Sequence, residues 1–97
     1  MAYRLTNRAR HDVLEIWAYI AGDSESAADR FIDRLTRHFK ILGDFPQAGR
    51  TRNELRPGYR SLPVGDYLIF YKIGPPGIRV MHVVRGQMDL DRYPFGS

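Results

Sequence analysis

The sequence predicts an α+β fold in which an N-terminal strand and an antiparallel helical hairpin precede a small antiparallel β-sheet, in the order β-α-α-β-β-β. Two observations predict it. Apolar residues recur at helical spacing through the first half of the chain, and near residue 57 the repeat changes to every second residue. Because 97 residues cannot divide their apolar side chains between two cores, we expect residues 1–97 to form one domain, with residues 86–97 as a loose tail.

The first predicted strand is residues 3–6, where apolar and polar residues alternate. Thr6 or Asn7 can cap the helix that follows, and Gly22 ends it. The apolar stripe of this helix consists of Ala9, Val13, Ile16, Trp17 and Ile20. These residues lie on one face of a helix, which therefore requires a partner to pack against.

A second helix is predicted to begin after Asp23 or Ser24 and to end at Gly43. Its apolar stripe consists of Ala28, Phe31, Ile32, Leu35, Phe39 and Leu42. Since only about three residues join the two helices, they must lie antiparallel. The two stripes can cover each other only in part, so a sheet is needed to bury the rest.

Residues 43–57 show no sustained repeat and are predicted to be a loop. Three antiparallel strands are then predicted, separated by turn sequences, at residues 58–62, 67–73 and 78–85. In the middle strand Tyr67, Ile69, Tyr71 and Ile73 face one side while Leu68 and Phe70 face the other. Both faces are therefore apolar. One face packs on the helices, and the other is expected to be covered by a tightly bound protein partner.

The excess of basic over acidic residues indicates which classes of partner the chain can attract. Fifteen basic residues, thirteen of them arginine, oppose eleven acidic ones, giving a net charge of +4. Residues 51–97 hold seven basic and four acidic side chains, so the excess lies in the second half. Such a field favours a nucleic acid or an acidic protein segment, although a basic surface also keeps a small protein soluble.

The amino-acid composition also excludes several kinds of bond, metal site and targeting segment. The chain has no cysteine, which excludes disulfides and thiolate-bound metal centres. His11 and His38 show no ligand spacing, so neither a metal nor another cofactor is expected. No apolar run is long enough for an export signal or a membrane span, and we expect a cytoplasmic protein with no membrane partner.

Several motifs occur together in a fixed order: Tyr3-Arg4-Leu5, Asp12-Val13 with Ile16-Trp17, Ala27-Ala28-Asp29-Arg30-Phe31, Phe45-Pro46 with Gly49-Arg50, Glu54-Leu55-Arg56-Pro57-Gly58-Tyr59-Arg60-Ser61, and Val64-Gly65-Asp66-Tyr67-Leu68-Ile69-Phe70-Tyr71. In this order they resemble the ParE branch of the RelE/ParE toxin superfamily. The resemblance implies a small bacterial toxin of a type II toxin–antitoxin module, associated with plasmid stabilisation. A ParD-like antitoxin with a disordered tail would bind it in a hetero-oligomer, and DNA gyrase would be its target. The resemblance implies no sequence-specific DNA binding by the toxin alone.

The chain departs from the family pattern at one motif. ParE-like sequences often have His-Gly followed by Arg-Asp where this chain has Arg85-Gly86-Gln87-Met88-Asp89.

The RelE branch instead suggests a ribosome-dependent messenger RNA endonuclease. Its candidate catalytic residues here are His82, Arg85, Arg60 and Tyr93. Leu68 stands where such nucleases place an arginine, so we expect no enzyme activity. The alternative for His82 is a core-facing histidine beside Val80 and Val84. The third possibility is a relic of such a toxin that is no longer toxic and only binds its partner protein.

Partner-binding residues are predicted from charge and aromatic character. The candidate antitoxin contacts are Trp17, Tyr19, Arg56, Arg60, Leu68, Phe70, Lys72, Arg79 and Arg85. The candidate target contacts are Arg60, Arg85, Met88 and Tyr93. The alternatives are that the aromatic residues belong to the core and that the basic residues are a solvated face, with Arg52 and Arg56 paired to Glu54 and Asp66.

Overall fold

The computed structural model describes residues 2–86, which form two helices packed on one face of a five-stranded sheet. Along the chain the elements are β1 (Ala2–Leu5), α1 (Asn7–Ala21), α2 (Glu25–Asp44), β2 (Arg50–Thr51), β3 (Arg60–Val64), β4 (Tyr67–Gly74) and β5 (Gly77–Arg85). The predicted layout of a strand, a helical hairpin and a three-strand meander is confirmed.

Both helices begin at the predicted caps. The Thr6 hydroxyl accepts a hydrogen bond from the Ala9 amide (3.1 Å), and the Ser24 hydroxyl accepts one from the Ala27 amide (3.2 Å). The predicted end of the second helix at Gly43 is wrong, because α2 continues to Asp44. It stops there because Phe45 precedes Pro46 and a residue before proline is driven out of the helical conformation.

The strand order across the sheet is β1-β5-β4-β3-β2, and the sheet is mixed rather than antiparallel. Strands β3, β4 and β5 pair antiparallel as predicted, and β2 also pairs antiparallel with β3, but β1 pairs parallel with β5. Short turns fix the direction of the meander strands. No such turn joins β1 to β5, which lie at opposite ends of the chain, so local sequence could not reveal the direction of that pair.

Two further regions differ from the prediction by more than one residue, whereas the strands predicted at 3–6, 67–73 and 78–85 are displaced or extended by a single residue. The region 43–57 contains β2, a two-residue strand too short to show an alternating pattern. The strand predicted at 58–62 is observed at 60–64, because the turn consists only of Gly65 and Asp66. Gly65 has φ +58°, the left-handed conformation that a tight hairpin requires and glycine adopts freely. Pro63 is tolerated within β3 because β2 pairs only with the other end of that strand.

The main core lies between the helices and the sheet. Its largest fully buried side chains include Tyr71, Leu35, Leu42, Ile69 and Ile78. On β4, Tyr67, Ile69 and Tyr71 all belong to this core, as predicted, whereas Ile73 is 48% exposed at the strand's far end.

A second, smaller core covers the other face of the sheet. Tyr59, Phe70, Met81 and Val84 form it, with Leu55 and Leu68 partly buried against it. Tyr59 and Leu55 belong to the segment 52–59, so the chain itself supplies the cover that was expected from a partner. Phe70 is fully buried there and is not an accessible contact residue in this arrangement.

A bulge on β5 changes the direction in which its side chains point. Phe70 pairs with His82, but Tyr71 pairs with Val80, so Met81 is an extra residue on β5. His82 therefore faces the second core, where its ring centroid lies 6.2 Å from that of Tyr59. His82 is 2% exposed and is thus buried, as the core-facing alternative expected, but the bulge places it on the face of Val84 rather than that of Val80.

Candidate functional site

An exposed aromatic residue and an arginine meet where α1 passes the end of β5. Tyr19 is 70% exposed, and the guanidinium carbon of Arg85 lies 5.8 Å from the centre of its ring. This is a cation–π contact. Tyr67 lies beside the pair, and burial raises the pKa of its phenol above 10.0 although the positive charge of Arg85 opposes that rise. We call the exposed Tyr19, the half-buried Arg85 and their surroundings the Tyr19–Arg85 surface.

Two open clefts flank this surface. A cleft of about 260 Å³ extends along α1 past Arg8, Asp12 and Glu15. A second cleft of about 400 Å³ extends past Phe31, Arg34, Gly65 and Asp66. Both clefts are lined by Tyr19, Tyr67 and Arg85. An aromatic ring between two clefts with arginines on both sides can bind a partner that carries apolar anchors and carboxylates.

Asp12 fixes α1 against β5 beneath the first cleft. It is 8% exposed, and one carboxylate oxygen accepts a hydrogen bond from the Val83 amide at 3.0 Å. The other oxygen accepts one from Arg8 Nε at 3.1 Å. Since β1 ends at Leu5, no strand formed by residues 2–86 lies beside this edge of β5 beyond Val80, and the Asp12 side chain of α1 accepts from the β5 backbone there instead.

Thr6 contributes to the same junction. Its amide donates to the Val80 carbonyl (3.1 Å) and its hydroxyl donates to the Met81 carbonyl (3.2 Å). Thr6 and Asp12 together hold the part of β5 that ends in Arg85. Sequence reasoning gave Asp12 no role, although its position one turn before the buried Ile16 is the signal that could have found it.

Arg60 and Tyr71 hold the segment before β2. Arg60 Nη1 donates to the Gly49 carbonyl (2.7 Å) and, at 3.4 Å, to the Gln47 carbonyl. The Tyr71 hydroxyl accepts from the Gly49 amide (2.8 Å) and donates to the Pro46 carbonyl (2.7 Å). Burial raises the pKa of Tyr71 above 10.0, against the effects of the Gly49 hydrogen bond and the Arg60 charge. A structural role thus accounts for the contacts of Arg60.

The proposed nuclease residues do not converge. Arg60 and Arg85 pair with Tyr71 and Tyr67, whose side chains face the helices. His82 pairs with Phe70 and is 2% exposed on the opposite face. A general base must reach the same substrate atom as the cations that stabilise its charge. Tyr93, the fourth candidate, lies outside the described residues, as does Met88.

The remaining predicted antitoxin contacts are dispersed. Trp17 donates its indole N–H to Asp29 Oδ1 at 2.8 Å, which joins α1 to α2. Leu68 is half-buried in the second core, and Arg56 is exposed on the segment that covers it. Lys72 and Arg79 are exposed and pair with each other across β4 and β5, away from the Tyr19–Arg85 surface.

Arg52 pairs with Glu54, as the solvated-face alternative expected, but its side chain is only 15% exposed and is therefore not part of a solvated face. Its guanidinium lies 3.4 Å from Glu54 and over the ring of Phe70, 5.9 Å from the centroid. Its Nε donates to the Ser61 hydroxyl at 2.8 Å. These contacts fix the segment 52–59 on the second core.

Within residues 2–86, no three histidine or acidic side chains are grouped so that they could hold a metal ion. Over the same residues, neither helix combines the length and apolar character needed to cross a bilayer.

The sequence over residues 3–90 matches the family model described as the ParE toxin of the type II toxin–antitoxin system parDE. The chain belongs to the ParE toxin family. Toxin ParE1 of Caulobacter vibrioides is 34% identical over 84 residues, covering 82% of this chain and 86% of that protein. Toxin ParE1 of Mycobacterium tuberculosis is 32% identical over 93 residues, covering 93% and 94%.

A solved structure, the chromosomal ParDE toxin–antitoxin system from P. aeruginosa, has a chain with the same fold. The TM-score is 0.73 at 19% sequence identity, and the match covers 88% of this chain and 95% of that one. The α+β ParE fold and the assignment to a type II toxin–antitoxin system thus agree with the resemblance read from the sequence.

Proposed function

We propose that this ParE-family toxin inhibits DNA gyrase by binding to it, without enzymatic activity, in the cytoplasm. We propose also that a ParD-like antitoxin neutralises the toxin by forming a hetero-oligomer with it. Family membership supports the toxin role, and the Tyr19–Arg85 surface supports the mode of action. That surface offers an exposed aromatic ring, two clefts and arginines, but no set of convergent acid–base groups among the described residues.

The antitoxin would place an acidic, amphipathic segment on the Tyr19–Arg85 surface. Its apolar side chains would enter the clefts beside Tyr19, and its carboxylates would pair with Arg85 and Arg34. Arg85 is also a proposed gyrase contact, together with Arg60, Met88 and Tyr93. An antitoxin bound at this surface would therefore cover part of the surface that meets the target.

The target is tested by adding the purified chain to gyrase and relaxed plasmid. We expect inhibition of supercoiling, and induced expression without the antitoxin should cause filamentation and DNA breaks. Rapid cleavage of transcripts with intact DNA would contradict the proposal in favour of a RelE-type nuclease. Absence of both effects would contradict it in favour of a non-toxic relic.

The antitoxin surface is tested by titrating a ParD-type antitoxin against a Tyr19→Ala, Arg85→Gln variant. Loss of a central aromatic and arginine contact is expected to raise Kd by about 30-fold, the scale of an interface hot spot. Leu14→Ala with Arg37→Gln is the matched control, because it removes one exposed apolar residue and one exposed cation from the helices. Equal losses in both variants would contradict this placement of the antitoxin.

A further inference from the structure

Three cations form a row across one end of the sheet. Arg4 on β1 pairs with Arg79 on β5, and Arg79 pairs with Lys72 on β4. All three residues are exposed. Residues paired across adjacent strands point to the same face, so the three side chains lie side by side, about 5 Å apart from strand to strand.

This row faces away from the helices. The neighbouring pairs Tyr3 with Ile78 and Leu5 with Val80 point into the main core, and the alternation of the strands directs Arg4 and Arg79 to the opposite face. None of the three cations forms an ion pair with another of the described residues. Like charges placed directly opposite on adjacent strands destabilise a sheet, so the row costs folding stability without any compensation inside the described chain.

We propose that the Arg4–Arg79–Lys72 row binds the phosphate backbone of duplex DNA without sequence preference. This inference does not depend on gyrase being the target. The residues beside the row explain the choice of occupant. Ala2 pairs with Gly77, and Gly77 pairs with Gly74, so the adjoining surface is nearly flat.

A peptide needs pockets for apolar or aromatic anchors. The side of the row that adjoins Ala2 and Gly77 offers none, and only at its Lys72 end does the row border a cleft, of about 320 Å³, that Asn53 and Tyr59 also line. A phosphate backbone needs no pocket. It binds through charge and hydrogen bonds from arginine and lysine, and such contacts carry no sequence information. A flat face with a linear array of cations therefore suits a duplex better than an acidic peptide.

The salt dependence of DNA binding gives the expected magnitude. Three neutralised phosphates contribute a slope of about −2.7 to a plot of log K against log salt concentration. That contribution corresponds to a loss of about 40-fold in affinity between roughly 50 mM and 200 mM salt. We expect fluorescence anisotropy with a labelled duplex of arbitrary sequence to show this slope or a steeper one.

The variant Arg4→Gln, Lys72→Gln, Arg79→Gln should lower the magnitude of the slope by about 2.7. The matched control Arg30→Gln, Arg37→Gln, Lys40→Gln removes two arginines and one lysine from exposed positions on α2, so both variants have the same net charge. Equal losses in the two variants would overturn the proposal, since they would show an effect of net charge alone. Binding of poly-glutamate but not of DNA would also overturn it.

A measurement on the unmodified protein removes any dependence on variant folding. Lys40 and Lys72 are the only lysines in the chain, one on α2 and one in the row. Acetylation followed by mass spectrometry should therefore show DNA protecting Lys72 while Lys40 reacts as before. Equal protection of both lysines, or of neither, would overturn the proposal.

Discussion

Replacing Asp12 by alanine should destabilise the whole domain, because its carboxylate is the partner of a buried backbone amide. The Val83 N–H, 3.0 Å from Asp12, would be left in the core without an acceptor. Losing a hydrogen bond to a charged acceptor and leaving the donor unsatisfied costs about 2–3 kcal/mol. The ion pair with Arg8, whose side chain is 49% exposed, adds at most about 1 kcal/mol after solvent screening.

The free energy of unfolding is measured by urea titration. We expect the midpoint to fall with an unchanged slope, and Tm to fall by about 10–20 °C in a domain of this size. Asp12→Asn is the informative companion, because its amide oxygen can still accept from Val83, and it should lose only about 1 kcal/mol. Hydrogen exchange at the Val83 amide should accelerate in the alanine variant.

Asp33→Ala removes an exposed carboxylate from α2 and serves as the control, with an expected change within about 0.5 kcal/mol. If Asp12→Ala were as stable as Asp33→Ala, the carboxylate would not be what pairs the free edge of β5. Equal destabilisation by Asp12→Ala and Asp12→Asn would show that charge, rather than the hydrogen bond to Val83, carries the effect.

Tyr71→Phe should lower the free energy of unfolding by about 1–3 kcal/mol in a urea titration, because the buried Gly49 amide loses its acceptor; a change below about 0.5 kcal/mol would contradict this. Gly49→Ala should reduce thermal stability at least as much, since the new methyl group would lie 2.9 Å from the Ser61 carbonyl and overlap the Tyr71 hydroxyl; a neutral substitution would contradict that crowding. The raised pKa values of Tyr67 and Tyr71 keep both phenols neutral in the folded state above pH 10, where the same phenols ionise in the unfolded chain. The free energy of unfolding should therefore fall as pH rises past about 10. Tyr71→Phe should weaken that fall, and an unchanged dependence on alkaline pH would contradict the raised pKa of Tyr71.

Local signals predicted most of the fold. The helices were found from their apolar stripes and from the caps Thr6 and Ser24, and β4 was found because its alternation fits a strand with two buried faces. Sequence failed where structure depends on distant residues. No turn sequence joins β1 to β5, so the sequence does not indicate that these two strands pair in parallel. The two-residue strand β2 forms by pairing with β3 and has no repeat of its own that could predict it.

The candidate site was predicted less well. Tyr19 and Arg85 were both named from their chemistry, but their contact depends on tertiary packing that spacing along the chain does not reveal. Phe70 was expected at the surface because sequence could not show that residues 52–59 fold back over it. The buried position of His82 was anticipated, but the bulge that separates it from Val80 depends on the pairing with β4, which the sequence does not reveal.

The bulge at Met81 determines to which face of the sheet Arg85, at the end of β5, points. In a strand with unbroken alternation, Arg85 would point to the face opposite Ile78 and Val80; the extra residue restores it to their side, over Tyr19. A one-residue deletion at position 81 would remove the bulge but keep Arg85 on the side of Val80, because Val80, Val83 and Arg85 would then occupy every second position. Regular alternation through a retained Met81 would instead send the arginine to the face that carries the Arg4–Arg79–Lys72 row and leave Tyr19 without its cation, so the bulge partitions positive charge between two surfaces of the toxin.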